Sequence, residues 1–262
     1  MTMQLEKTLK NKLTAKNVPE ADIDRFLSYV NSARRDEEGK EERKRPVSRN
    51  DADNLYSLFV KFRNLGLIID GTNVVITGRN MAMVTYHGYK NKVKQTYPDA
   101  TFDVQLVRGE DTFKVSKRDG KVSYEHDITN PFGDDEIRGA YCVITIGDKD
   151  YFEALNPSDF TKMKEASKQK YLWGEWASEF WLKSVIKRAC KRHFYDVPGM
   201  ADIDKVDNDD YGLAERVDLP DATREAIEAA VTVEELQNIM DSLSPEYKQA
   251  AQPLVEERFA AL

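Results

Sequence analysis

FDVQLVRGEDTFKVSKRDGKVSYEH, residues 102–126, decides the fold. Apolar and polar residues alternate through Phe102–Arg108, Thr112–Ser116 and Lys121–His126. Gly109-Glu110-Asp111 and Arg118-Asp119-Gly120 supply turns between the three runs. Alternation at period two marks a half-buried strand, and a short polar turn joins antiparallel neighbours. Downstream, Ile137–Ile146 (IRGAYCVITI) and Tyr151–Leu155 form another strand pair around Gly147-Asp148-Lys149-Asp150. Upstream, Val74–Thr77 and Met81–Tyr86 read as strands split by Gly78, Arg79 and Asn80, and 87–97 (HGYKNKVKQTY) as a short helix. Asn156-Pro157-Ser158-Asp159 starts a helix over 158–169.

Both ends of the chain are helical in pattern. Leu5, Leu9 and Leu13, then Ile23, Phe26, Leu27 and Val30, are the buried positions of one or two amphipathic helices over 1–31. Residues 32–50 are almost entirely charged or polar and predict a mobile loop or linker. Asp51 or Asp53 caps a helix through Leu55, Leu58, Phe59, Phe62 and Leu65, ended by Gly66. Residues 196–220 read as an acidic tether. Residues 221–262 carry two or three short helices capped around Asp221, Thr232 and Ser244, with Leu236, Ile239, Met240, Leu243, Leu254, Val255 and Phe259 as a miniature core. The expected class is α+β: antiparallel sheet and hairpins packed with helices, N-terminal helices and a small C-terminal helical appendage. The segments are 1–50 (helices and charged linker), 51–195 (core), 196–220 (tether) and 221–262 (a partner-binding helical domain).

The 262 residues suffice for one sizeable core plus an appendage. No run of some 18 apolar residues suggests a membrane span, and the charged N-terminus lacks a signal core. Cys142 and Cys190 both sit in apolar patterns and predict reduced, buried thiols in a cytosolic protein. The net charge is -7, but it is unevenly distributed. Residues 61–194 carry 22 Lys+Arg against 18 Asp+Glu, whereas residues 195–262 carry 5 against 17. The body is thus mildly basic and the tail supplies the acidity, so whole-chain charge does not exclude a polyanionic partner.

The strongest functional signal is WASEFWLKSVIKRACKRHF, residues 176–194. Leu182, Val185, Ile186, Ala189 and His193 share one helical face, and Lys183, Lys187 and Lys191 form a stripe beside Arg188 and Arg192. Cations four apart repeat every ~6 Å along a helix axis. No carboxylate lies between 180 and 195, which argues against a surface helix laced with alternating ion pairs and for one that meets a polyanion. The bland alternative is a solvated basic face near a helix C-terminus, where the dipole favours cations.

Other chemistry is sparse. No P-loop or dinucleotide fingerprint occurs, and His87, His126 and His193 lie too far apart in sequence for a recognisable metal spacing, so no cofactor or metal is expected. An enzyme alternative remains, a metal-dependent phage nuclease using Glu125, Asp127 and Glu153. Asp134-Asp135-Glu136 reads as a solvated turn. A third reading is a protein that coats nucleic acid passively. Against these stands a pattern suited to single strands: cations interleaved with aromatic faces, for phosphates and unpaired bases respectively. The cations are Lys90, Lys92 and Lys94, then Arg108, Lys114, Lys117, Arg118, Lys121 and Arg138; the aromatics are Tyr86, Tyr89, Phe113, Tyr124, Phe132, Tyr141 and Trp176. Half of those aromatics belong to a core, Tyr141 first among them, and the close trio Trp173, Trp176 and Trp181 cannot all face DNA.

Five pieces in order, Tyr86-His87-Gly88-Tyr89-Lys90, Val107-Arg108-Gly109-Glu110-Asp111-Thr112-Phe113, Glu125-His126-Asp127 with Pro131, Ile137-Arg138-Gly139-Ala140-Tyr141 and the Trp-rich basic helix, resemble the RecT/Redβ family of phage single-strand annealing proteins, or recombinases. The similarity spans about residues 52–195. It implies an ATP-independent, non-enzymatic protein of the bacterial host cytoplasm that binds single-stranded DNA and the annealed duplex intermediate and works as a homo-oligomeric ring or helical filament. An exonuclease and the host single-strand-binding protein are its implied partners. By position, Lys183, Lys187, Arg188, Lys191 and Arg192 match the family's basic helix and Arg138 the cation of its I-x-G-A-Y strand. Together with Tyr86, His87, Lys90, Lys92, Arg108, Lys114, Lys117, Arg118, Lys121 and Trp176 they form the expected DNA-binding set.

Overall fold

A computed structural model describes residues 3–41, 44–118, 121–133, 135–167, 171–210 and 221–243, and at the C-terminus Tyr247, Ala251, Leu254, Val255, Arg258 and Phe259. The chain divides into two compact units, Met1–Gly212 and Leu213–Leu262. The fold is α+β.

The first unit is built on a three-stranded antiparallel sheet, ordered β3 (Thr101–Arg108), β6 (Ile137–Ile146), β7 (Lys149–Leu155). Its central strand shows why the alternating pattern was decisive. Ala140, Cys142 and Ile144 point into the main core, whereas Tyr141 and Val143 point to the opposite face. A separate hairpin, β4 (Thr112–Arg118) and β5 (Lys121–Asp127), covers that opposite face with Phe113 and Tyr124. The Phe113 ring stacks on Tyr141 at 5.1 Å between centroids. Gly139 permits close strand approach, since a Cβ there would meet the Leu155 carbonyl oxygen at 2.8 Å.

On the inner face lies α7 (Ala177–His193), which buries Trp181, Val185, Ile186, Ala189 and Cys190. Before it come α5 (Pro157–Ala166), capped by the Asn156 side chain, and the short α6 (Leu172–Glu175). The helix expected over 158–169 thus ends at Ala166. A second hairpin, β1 (Val74–Gly78) and β2 (Met81–Val84), leads into α4 (Tyr86–Thr96). The strand expected to reach Tyr86 stops at Val84, because the Thr85 hydroxyl accepts from the amides of His87 and Gly88 and starts the helix. Gly88 fits where a side chain could not: a Cβ would lie 2.5 Å from the Asn73 carbonyl oxygen and 2.7 Å from Val84 Cγ1.

The N-terminal helices α1 (Met3–Thr14), α2 (Glu20–Asp36) and α3 (Ala52–Asn64) contribute Leu9, Leu13, Ile23, Phe26, Leu55, Phe59 and Phe62 to the same core as the sheet. Asp51 caps α3 by accepting from the amides of Asp53 and Asn54. The mobile loop expected over 32–50 is a packed connection in its described part. The buried Glu37 carboxylate accepts from the amides of Val47 (2.9 Å) and Ser48 (2.7 Å), Val47 is buried, and Asn50 bonds the Pro46 and Gly78 carbonyls and the Asn80 amide. Side-chain-to-backbone bonds order a segment that has no apolar period. The start of the expected tether is likewise helical: α8 (Met200–Asp210) buries Met200, Ile203 and Val206 in the main core beneath its acidic residues. The rest of the tether, 211–220, lies outside the described residues.

The second unit contains α9 (Asp221–Ala229) and α10 (Val233–Ser242). Thr232 and Glu235 close a reciprocal capping box at the start of α10. Its core gathers Ile227, Ala230, Leu236 and Ala251 with Ile239, Met240, Leu243, Tyr247, Leu254 and Val255. Phe259, expected in that core, is 57% exposed instead. The cap expected at Ser244 lies outside the described residues.

Replacing Glu37 by Ala should leave the Val47 and Ser48 amides without their buried acceptor. We expect a loss of about 1–3 kcal/mol in urea unfolding and new proteolytic cleavage between residues 38 and 50.

Candidate nucleic-acid interface

The apparent excess of charge on α7 is offset from elsewhere in the fold. Glu153 sits opposite Cys142 in the β6–β7 ladder and therefore faces the inner layer, where it is only 6% exposed. Its carboxylate receives Arg188 Nε at 3.0 Å, Arg192 Nη1 at 2.8 Å and His193 Nε2 at 3.4 Å. Arg188 also bonds Asp159 at 2.8 Å, and Lys191 pairs with Asp204 at 2.5 Å. The absence of acids between 180 and 195 was therefore a local fact only. β7, α5 and α8 bring carboxylates to the helix, and Arg188, Lys191 and Arg192 are engaged within the protein. Burial alone would raise the Glu153 carboxyl, but the bonds from His193 and Arg192 and the charges of Arg192 and Arg188 outweigh it and hold it below its ordinary value.

The other two α7 lysines are placed differently. Lys183 has an exposed partner, Glu179, one turn back at 3.7 Å, and lies over the Phe180 ring. Lys187 lies 5.3 Å from the centroid of Tyr89, the fully buried aromatic of α4, and Lys191 reaches the same ring at 5.4 Å. These contacts join α4 to α7.

On α4, Lys92 departs from expectation. It is buried, its ammonium donates to the Leu65 carbonyl at 2.7 Å and to Gln95 at 3.2 Å, and burial lowers its pKa. Its position on the inward face of α4 puts its charge at the service of the α3 terminus. Lys90 lies over the Phe102 ring at 5.0 Å. His87 is exposed and its ring lies 4.0 Å from that of Tyr86. Partial burial and then the charges of Lys90 and Lys183 push the His87 imidazole below its ordinary pKa. Two ammonium groups from different helices thus act on one exposed imidazole. This convergence of Lys90, Lys183 and His87 follows from α4 packing on α7 and could not be read from residues nearly a hundred positions apart.

The three tryptophans separate. Trp181 stacks on Phe160 at 4.1 Å and Trp173 on Phe180 at 4.6 Å, both buried, whereas Trp176, between α6 and α7, is 56% exposed. Phe113, Tyr124 and Tyr141 fill the layer between hairpin and sheet rather than standing free as platforms.

The remaining cations form a second group on the opposite side of the sheet from α7. Lys114, Lys117, Arg118 and Lys121 are exposed on the hairpin. Arg108 donates to the Asp135 carbonyl at 3.0 Å and Arg138 to that of Asp111 at 3.2 Å, at the hairpin's base. Beneath them is a buried polar cluster that sequence reasoning missed. Asp111 accepts from the amides of Arg108 (2.7 Å) and Thr129 (3.1 Å) and lies 3.3 Å from His126 Nε2, while His126 Nδ1 is 3.2 Å from the Tyr141 hydroxyl. Burial raises the Asp111 carboxyl, yet the two amides and His126 together bring it below its ordinary value. Its only signal was an Asp and a His near the two ends of one hairpin.

The acids of the nuclease alternative do not converge. Glu125 lies opposite Lys114 on the exposed hairpin, with Asp127 two residues on, whereas Glu153 is bound to arginines on the other side of the sheet. Among the described residues no group of three or more His, Cys, Asp or Glu side chains is arranged to hold a metal ion.

A model of the RecT family matches residues 58–236, more than half of the chain. The chain belongs to the RecT family. No curated protein and no solved structure gives a significant match. Membership makes this RecT-family chain a phage-type single-strand annealing protein, one that binds single-stranded DNA and serves recombination. No helix among the described residues is long and apolar enough to cross a membrane.

In this RecT-family protein the Glu153 hub should be a stability determinant. Glu153→Ala leaves Arg188 without its buried partner and should cost about 3 kcal/mol in urea unfolding. Because Asp111 and Glu153 both titrate below their ordinary values when folded, the stability they contribute is complete above the unfolded carboxylate pKa of about 4. It should disappear as pH falls through the lower folded-state values, which thermal melts between pH 7 and pH 2 will register.

Proposed function

We propose that this protein anneals complementary strands without ATP, cofactor or covalent chemistry, gripping single-stranded DNA along the α4–α7 face. Lys90, Lys183 and His87 meet phosphates there, Lys187 extends the line along α7, and Tyr86 and Trp176 offer ring faces to bases. The packing of α4 on α7, which lays Lys187 and Lys191 of one helix over the Tyr89 ring of the other and so brings lysines of both helices together, carries this reading. Backbone neutralisation lowers the repulsion between two incoming strands, and holding one strand extended reduces the entropy lost on pairing. Base pairing then reads sequence, so side chains need few contacts with base edges. Arg188 and Arg192 support this face through Glu153.

The wider setting is proposed on the same footing. The protein acts in the cytoplasm of the bacterial host as a homo-oligomeric ring or filament, holding the annealed duplex intermediate as well as the single strand. The second unit docks a partner, an exonuclease or the host single-strand-binding protein. Its own core, capping box and strongly acidic surroundings support a separate docking module.

Lys90→Glu with Lys183→Glu should abolish annealing of two oligonucleotides at physiological salt, as measured by fluorescence quenching, while leaving the urea midpoint within experimental scatter. Normal annealing by that double variant would refute the placement of the groove. Each cation that neutralises a phosphate should add roughly one unit to the slope of log affinity against log salt. Trp176→Phe should remove most of the DNA-induced change in tryptophan fluorescence, because Trp173 and Trp181 are buried.

A further inference from the structure

We propose that the tip of the β4–β5 hairpin and the β5–β6 loop at its base form the two halves of a self-association surface, the tip of one copy docking on the loop of the next. The proposal rests on the reading above only in that an annealing protein works as an assembly. It moves Lys117, Arg118 and Lys121 from a DNA role to a contact between copies.

The hairpin is electrically polarised along its length. Its register sets Arg118 directly opposite Lys121 at the tip, Lys114 opposite Glu125 in the middle, and Thr112 opposite Asp127 at the base. Like charges facing each other across a ladder are unfavourable unless an anionic partner meets them. Lys117, one residue from that pair, is exposed as well. At the other end, Glu110, Asp127 and Glu136 are all exposed. Two seven-residue strands hold these ends roughly 20 Å apart.

Uncovered apolar surface lies along the hairpin and in the loop. Midway between the two ends, Val115 shares a face with Phe113 and Tyr124 but remains 45% exposed. In the loop, Phe132 is 93% exposed and Ile128 47%. Phe132 is held out on a fixed mount. The Thr129 amide donates to Asp111 at 3.1 Å, the Thr129 hydroxyl to the Glu110 carbonyl at 2.8 Å, and Arg108 to the Asp135 carbonyl at 3.0 Å. The Phe132 amide itself donates to Asn130 at 3.2 Å. An aromatic presented to water on a tethered loop marks a contact surface.

Charge selects the occupant. At the loop end Glu110, Asp127, Asp135 and Glu136 outnumber Arg108 and Arg138, and this acidic balance disfavours a base-stacking role for Phe132. It suits a cationic surface, and the hairpin tip, with Lys117, Arg118 and Lys121 against the single acid Asp119 in sequence, supplies one on the same chain. Because the two patches differ, the contact is heterologous and propagates into a ring or an open helix rather than closing as a twofold dimer. Phe132 would be the anchor, with the charges setting orientation and partner choice.

Two full-length variants test this by mass photometry, with and without a single-stranded oligonucleotide. One carries Lys117→Glu and Lys121→Glu, the other Asp127→Lys and Glu136→Lys. Each alone faces like charge with like and should weaken assembly by at least about tenfold. An equimolar mixture restores opposite charges at every contact and should assemble as the unaltered protein does, which also shows that both variants fold. Phe132→Ser should weaken assembly without altering charge. The proposal is overturned if either charge variant assembles normally alone, or if the mixture stays as small as its components, as it would were the tip a DNA contact. Annealing measured in parallel separates the two readings. Unaltered protein that anneals as a monomer sinks this inference alone, whereas assembly without annealing sinks only the annealing reading.

Discussion

The buried carboxylate of Glu153 is the point on which the packing of the first unit's proposed DNA face depends. It lies on an edge strand, turned inward by the β6–β7 register, and it holds two arginines and a histidine of α7. Without it, α7 would bring Arg188 toward a sheet whose other inward groups are apolar, with Asp159 as the nearest compensation. With it, the helix is fixed in rotation about its own axis. That rotation sends Lys183 toward α4 and His87, and lays Lys187 and Lys191 over the Tyr89 ring. A buried ion cluster is weak evidence of net stability but good evidence of a specified arrangement.

Most of the fold was legible because its signals are local. The alternation through 102–126, the apolar run 137–146 and the helical periods near both ends describe elements that the structure contains. The two largest misses share one cause. The connection after Asp36 and the helix Met200–Asp210 are dominated by charged residues, and what orders them is invisible to periodicity. In the first case it is one carboxylate, Glu37, binding two amides ten and eleven residues away. In the second it is three apolar residues three positions apart beneath an acidic surface.

The candidate site was legible as a set of residue types and illegible as an arrangement. A cation on a helix looks the same in sequence whether its partner is water, phosphate or an acid some thirty or forty residues distant. Arg192 and Glu153 are such a pair, and so are Arg188 and Asp159. Lys92 carried the same promise as Lys90, two residues away, yet one is buried against a helix terminus and the other lies over an aromatic ring near His87. The tryptophans divided in the same manner, two into the core and one outward.

Pairing Arg188, Lys191 and Arg192 with acids of the same chain has a consequence for how such a protein would hold DNA. Few cations remain on the α4–α7 face of one copy, and each neutralised phosphate contributes only modestly to affinity. On the proposed face a single copy would therefore grip a strand weakly and reversibly, which suits a protein that must let mismatched strands depart. Tight retention would come from many copies on one strand, since linking weak sites raises the effective concentration at every further contact. The two proposed surfaces would then be complementary: the α4–α7 face would keep each grip loose, and the polarised hairpin would make the sum of grips strong.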